Sequence, residues 1–149
     1  HARAAGLAIE YRAATAEEVA AEGRRFDLVA ALEVVEHVPD PDAFVRALAA
    51  TTRPGGLVVL STLSRTFAAW VAAIVAAEYL LGWLPRGTHA WGRFVKPSEL
   101  AARARAAGLR PVGLTGLAYE PAYERFTTRR DPAVNYMLAA VRDPVGGNA

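Results

Sequence analysis

Phe26-Asp27-Leu28-Val29-Ala30-Ala31-Leu32-Glu33-Val34-Val35-Glu36-His37-Val38-Pro39-Asp40-Pro41 is the stretch on which the reading of this chain turns. Phe26 to Glu33 reads as a continuous apolar strand, the kind buried on both faces of a parallel sheet. It ends abruptly in two carboxylates and an imidazole, and a proline turn closes it. Glu33, Glu36 and His37 stand at i, i+3 and i+4, so one helical turn there points all three side chains the same way. Ionisable groups at a strand's carboxyl end sit where open α/β sheets hold their ligands. The competing reading is a helix-entry cluster whose charges solvate a turn.

Outward from this stretch, helices and strands alternate. His1 to Ala5 reads as a helix end capped by Gly6, and Leu7 to Ala13 alternates as a short strand. Thr15 is placed to cap a helical turn with Glu17 and Glu18 in its first turn. Asp40 caps a helix that Pro41 opens and that runs to about Thr51. Pro54-Gly55-Gly56 turns the chain into a second buried strand, Leu57 to Leu63. An apolar helix is expected from roughly Thr66 to Leu84. Pro97 opens another helix after Lys96, which offers no acceptor as a cap, and Gly108 ends it. Leu109 to Tyr119 and Val134 to Arg142 read as closing strands antiparallel to each other, and Asp143 to Ala149 as a frayed tail. The alternation predicts a doubly wound α/β domain with a mostly parallel sheet.

Composition narrows the function classes. The chain has 149 residues, 53% of them hydrophobic and 21% charged, which is one globular domain's worth of chain. A net charge of +2 gives no support to general nucleic-acid binding. Cysteine is absent, which removes disulfides, thiolate metal sites and cysteine nucleophiles. There is no signal peptide, and the start at His1 suggests a fragment.

The quoted stretch resembles the post-strand signature of class I methyltransferases that use S-adenosylmethionine, and most closely the ubiquinone-biosynthesis O-methyltransferases. The resemblance continues through Arg53-Pro54-Gly55-Gly56, Ser61-Thr62-Leu63-Ser64-Arg65, Ala77-Glu78-Tyr79-Leu80, Pro85-Arg86-Gly87-Thr88-His89, Lys96-Pro97-Ser98-Glu99-Leu100, Gly116-Leu117-Ala118-Tyr119-Glu120-Pro121 and Val134-Asn135-Tyr136-Met137-Leu138. It covers nearly the whole chain. The proline-glycine-glycine turn is common among methyltransferases, whereas the glycine-threonine-histidine and asparagine-tyrosine-methionine segments are particular.

The resemblance implies a Rossmann-like methyltransferase fold truncated at its N-terminus. The glycine-rich loop and the ribose-binding acid of that fold have no counterpart here and are expected upstream of His1, so the piece alone is expected to be inactive. The strand order of that fold leaves Leu7 to Ala13 without its partner and Phe26 to Glu33 with one open edge. Leu7 to Ala13 is therefore expected either detached or re-paired against Phe26 to Glu33, with Leu28, Val29 and Leu32 more exposed than in a core strand. The implied activity is methyl transfer from S-adenosyl-L-methionine to a phenolic hydroxyl of a polyprenylated ring on the route to ubiquinone. The resemblance assigns Glu33, Glu36 and His37 to a divalent metal, Mg2+ or another cation. Two carboxylates suit a hard ion, whereas the imidazole suits zinc, manganese or iron at least as well. His37 is alternatively a general base for the phenol. The residue before the first glutamate, Leu32, is implied at the cofactor's adenosine end; packing in the core is compatible with that role.

Residues 65–93 are expected to form an apolar lid or membrane-facing insertion. Phe67 to Pro85 carries Phe67, Trp70, Ile74, Tyr79, Trp83 and Leu84 with Glu78 as its one charge, flanked by Arg65 and Arg86. Such a helix suits a membrane interface or a greasy substrate, and equally an ordinary covering role. His89 is a candidate to line the ring pocket or assist proton removal, or else a hydrogen-bonded structural group. Lys96 either pairs with a carboxylate or is solvated, and Tyr119, Tyr123 and Tyr136 are expected to pack. The implied partners are the polyprenylated phenol, a membrane surface and other ubiquinone-biosynthesis proteins, with no nucleic acid. The implied location is cytoplasmic, peripheral to the inner membrane. Two other readings remain open: an O-methyltransferase for another small phenol or catechol, and a non-catalytic membrane-binding module.

Overall fold

Thr15 and Asp40 show how local sequence starts the helices. The Thr15 hydroxyl accepts from the Glu18 amide at 3.2 Å while the Glu18 carboxylate accepts from the Thr15 amide at 2.7 Å, a reciprocal cap that opens α1 (Ala16–Ala21). The Asp40 carboxylate accepts from the Asp42 and Ala43 amides, both at 2.9 Å, and α2 (Pro41–Thr51) follows. The third helix, α3 (Pro97–Ala106), has no side-chain acceptor at Lys96; the Glu99 carboxylate accepts from the Lys96 amide instead. Gly108, at φ 77°, ends it in the left-handed conformation that glycine adopts without a Cβ clash.

The computed structural model describes residues 2–66, 93–120, 123 and 125–144. Five strands form one sheet: β1 (Phe26–Leu32), β2 (Thr52–Leu63), β3 (Leu109–Glu120), β4 (Arg125–Arg129) and β5 (Asn135–Arg142), in the order β1-β2-β5-β3-β4. β1 and β2 run parallel; the remaining three pairs are antiparallel.

Register sorts the side chains onto two faces. Val58, Leu60 and Thr62 of β2 lie beside Ala140, Leu138 and Tyr136 of β5, and all six are buried. They form a core with Phe44, Val45 and Leu48 of α2 and Leu100 and Ala104 of α3. Fully burying a leucine- or phenylalanine-sized side chain contributes about 1.5–3 kcal/mol, so this layer dominates the fold's stability. Arg142 ties the layers together: its guanidinium donates to the Ala49 carbonyl at 2.7 Å and also reaches Thr52, satisfying carbonyls at the end of α2. The opposite face carries Leu28 and Leu32, 58% and 52% exposed, with Leu57, Val59, Met137 and Val141 partly covered.

Most expected elements are present, and the departures are local. Leu7 to Ala13, which alternates as a strand, forms no ladder and is detached from the sheet, as the truncated strand order implies; its Leu7, Ile9 and Tyr11 are exposed, and ion pairs of Arg12 with Glu22 and Arg24 with Glu10 hold it. An alternating pattern makes a strand only where a neighbour accepts its backbone groups. The apolar strand ending at Glu33 is not buried on both faces, because it is the sheet's edge. Among the described strands the sheet is mixed, one parallel pair and three antiparallel, consistent with the truncated Rossmann-like fold expected. β4 was not expected, and Tyr119 and Tyr123, expected to pack, are exposed beside it. Tyr136 does pack: it is fully buried, and its hydroxyl donates to the Val95 carbonyl at 2.9 Å. The insertion at 65–93 and His89 fall outside the described residues, apart from its ends.

Candidate active site at the carboxyl edge of the sheet

β1 pairs Leu32 with Ser61 of β2, and β2 pairs Leu63 with Asn135 of β5. The residue after Leu32 therefore emerges beside the end of β2 and the start of β5. That residue is Glu33, with φ 55°, the one non-glycine residue in the left-handed region among those described. Its amide is held by the Ser61 carbonyl at 3.0 Å and the Ser61 hydroxyl at 3.1 Å, enough to hold a conformation that costs a side-chain-bearing residue free energy. One turn follows, closed by the His37 amide donating to the Val34 carbonyl at 2.9 Å.

The turn brings the two carboxyl groups together. The Ser61 hydroxyl donates to Glu33 Oε1 at 2.7 Å, and Asn135 Nδ2 donates to the same oxygen at 3.3 Å. The Thr62 hydroxyl donates to Glu36 Oε2 at 2.8 Å, and Glu36 is buried. Ser61 and Thr62 are consecutive on β2 and point to opposite faces, so the turn straddles the sheet's edge, one carboxylate anchored from each side. Burial pushes the Glu33 carboxyl above its ordinary range; the neighbouring Glu36 adds to this, against the hydrogen bonds from Ser61 and Asn135.

His37 stays half-open to solvent, its Nε2 3.9 Å from Glu36 Oε1. It borders a cleft of about 350 Å³ whose lining includes Arg65, Arg93, Glu99 and Arg103. Arg65 is paired with Glu99, and Arg103 with Asp42 at 2.5 Å. Lys96 is exposed and has no ion-pair partner among the described residues.

Among the described residues no group of three His, Cys, Asp or Glu side chains converges as a ready metal centre. What the edge does present is a pair of adjacent carboxylates with neither Lys nor Arg paired to them among the described residues. That donor set fits a magnesium ion, which takes one or two carboxylates and keeps several waters. Leu32 lies half-exposed on the sheet face away from the helices, next to this pair. Sequence reasoning did not assign Ser61, Thr62 or Asn135. The signal was a run of polar residues ending otherwise apolar strands.

An open α/β sheet carrying its ionisable cluster at a strand's carboxyl end defines a class of ligand-binding α/β proteins. The chain belongs to the methyltransferase domain family, whose model matches residues 4–114. It is 52% identical over 142 residues to a ubiquinone biosynthesis O-methyltransferase of Methylobacterium sp. strain 4-46, covering 95% of this chain and 57% of that protein. It is 49% identical over 142 residues to the protein of that name from Parvibaculum lavamentivorans, covering 95% and 56%. The chain thus spans a little over half the length of the curated relatives it matches. Among solved structures it is similar to a SAM-dependent methyltransferase from Thermotoga maritima, with a TM-score of 0.63 at 15% identity, covering 95% of this chain and 67% of that one.

Proposed function

We propose that the protein to which this chain belongs transfers a methyl group from S-adenosylmethionine to a phenolic oxygen of a polyprenylated ring in ubiquinone biosynthesis. The observation that carries this reading is the 52% identity, along 142 residues, to a relative of that name. The carboxyl-edge cluster supports it chemically. Methyl transfer is an in-line displacement, so the site must align oxygen, methyl and sulfur and take up the phenolic proton.

Leu32, apolar and open at the edge, takes the cofactor's adenosine end in this reading. Glu33 and Glu36 hold a divalent cation, which when bound would favour the phenolate and orient neighbouring ring oxygens. His37, half-open and beside Glu36, either completes the cation's ligands or accepts the proton, and His89 is the second candidate for that step. Residues 65–93 cover the prenyl tail or meet a membrane surface, where other proteins of the pathway would gather. No helix among the described residues is long and apolar enough to cross a membrane.

The test uses the complete protein with methyl-labelled S-adenosylmethionine and a panel of acceptors. Label should pass to a prenylated catechol, fall on chelation and return with Mg2+. Transfer to short catechols alone would favour the small-phenol reading, and no transfer to any phenol would overturn the proposal.

A further inference from the structure

Leu63, Asn135 and Leu117 lie side by side across β2, β5 and β3, on the sheet face away from the helices. Tyr119 extends that row along β3, and Phe126 of β4 is paired with it. The two rings lie 5.1 Å apart at 49°, and both are exposed, 46% and 65%. Together with Val134 and the charged Arg129 and Asp131, these residues line a cleft of about 490 Å³, within the range of small-molecule sites.

Asn135 connects this cleft to the carboxylate pair. One end of its amide donates to Glu33 Oε1, while the other, Oδ1, is buried and accepts no hydrogen bond among the described residues. A buried amide oxygen without a donor is uncommon in a folded protein and marks a place where a donor is missing. The Tyr119 and Phe126 rings on the cleft wall suit a flat aromatic body, and a hydroxyl on such a ring supplies the donor.

We propose that this cleft receives the hydroxylated aromatic ring of the methyl acceptor, and that Asn135 selects it by accepting a hydrogen bond from one ring hydroxyl. Tyr119 and Phe126 flank the ring. The amide holds Glu33 and the ring hydroxyl through its two ends, which fixes the ring relative to the carboxylate pair. This rests on the methyl-transfer reading for the identity of the acceptor, but binding is measured without turnover, so the two fail separately.

The experiment titrates the complete protein, without S-adenosylmethionine, with a short-tailed prenylated catechol and with the analogue lacking one hydroxyl. The wild type should prefer the catechol by about tenfold or more, since a site built to bond a hydroxyl rejects the compound that lacks it. Asn135→Ala should bring the two affinities together. Phe126→Ala, at an exposed position, should weaken both equally, and it carries the test if Asn135→Ala does not fold. Affinity for S-adenosylmethionine, measured separately, should be unchanged in both variants. Undiminished preference in folded Asn135→Ala, or undiminished catechol binding in Phe126→Ala, overturns the proposal. Failure of the wild type to methylate the catechol it binds would instead overturn the methyl-transfer reading.

Discussion

Glu33 concentrates the unusual physics of this chain: left-handed backbone, a carboxyl pressed toward Glu36, and two neutral donors in place of a cation. Each is unfavourable for the fold alone, and such costs gather at functional sites. The raised pKa has a definite consequence for stability. In the folded state the group holds its proton above 4.5, the ordinary value, so the folded form binds more protons than the unfolded one in that window. Stability is therefore lost as pH rises from about 4.5 through the raised value, and at neutral pH the ionised carboxylate opposes folding. Glu33→Gln should raise the melting temperature at pH 7 in the presence of chelator and change it little at pH 4. An equal shift at both pH values would place the effect elsewhere. The cluster itself was legible in the sequence as carboxylates and an imidazole at i, i+3 and i+4. Its orientation was not, because the left-handed residue and the hydroxyls from β2 are set by strand register, which periodicity does not encode.

At the scale of elements, caps and breakers carried most of the readable information. Thr15, Asp40, Pro41, Pro97 and Gly108 fix helix boundaries through local hydrogen bonds and backbone restriction, which a single sequence contains. β4 escaped notice because Arg125-Phe126-Thr127-Thr128-Arg129 is short and charged at both ends. Its strand identity comes from pairing with β3, although the Phe-Thr-Thr core was a weak signal. The leg joining β4 to β5 passes so close to β3 that a Cβ on Gly116 would stand 1.9 Å from the Asp131 carbonyl oxygen. That neighbour is backbone and cannot swing aside. Gly116→Ala should destabilise the protein by about 1–3 kcal/mol or more through overpacking, read as a lower denaturation midpoint. An unchanged midpoint would show that this leg moves freely. Because the leg borders the aromatic-walled cleft, the same variant should also weaken binding there.

The described residues form a two-faced sheet with the carboxylate pair of Glu33 and Glu36 at one edge. Helices α2 and α3 cover one face, while Leu28 and Leu32 stand open on the other, along a strand with one unpaired edge among the described residues. Apolar surface beside a bare strand edge favours association. The 149-residue chain on its own should bind a hydrophobic dye and self-associate, and Leu28→Lys with Leu32→Gln should reduce both. Monomeric, dye-silent behaviour of the unaltered chain would mean that this face is covered in solution. The alternation of elements announced an α/β sheet, and the edge position of β1 followed from strand order in the family it resembles; neither was contained in the apolar run itself, which looks alike at an edge and at a centre. In the proposed reaction the carboxylate pair at this edge is the reaction centre of an O-methyltransferase. The most direct test of this compares single-turnover methyl transfer to a prenylated catechol by the complete protein and by its Glu36→Gln variant, each saturated with S-adenosylmethionine. The variant should lose about 100-fold or more in rate, the scale of lost acid–base or cation assistance, while binding the cofactor as before. Equal single-turnover rates in the two proteins would contradict the account.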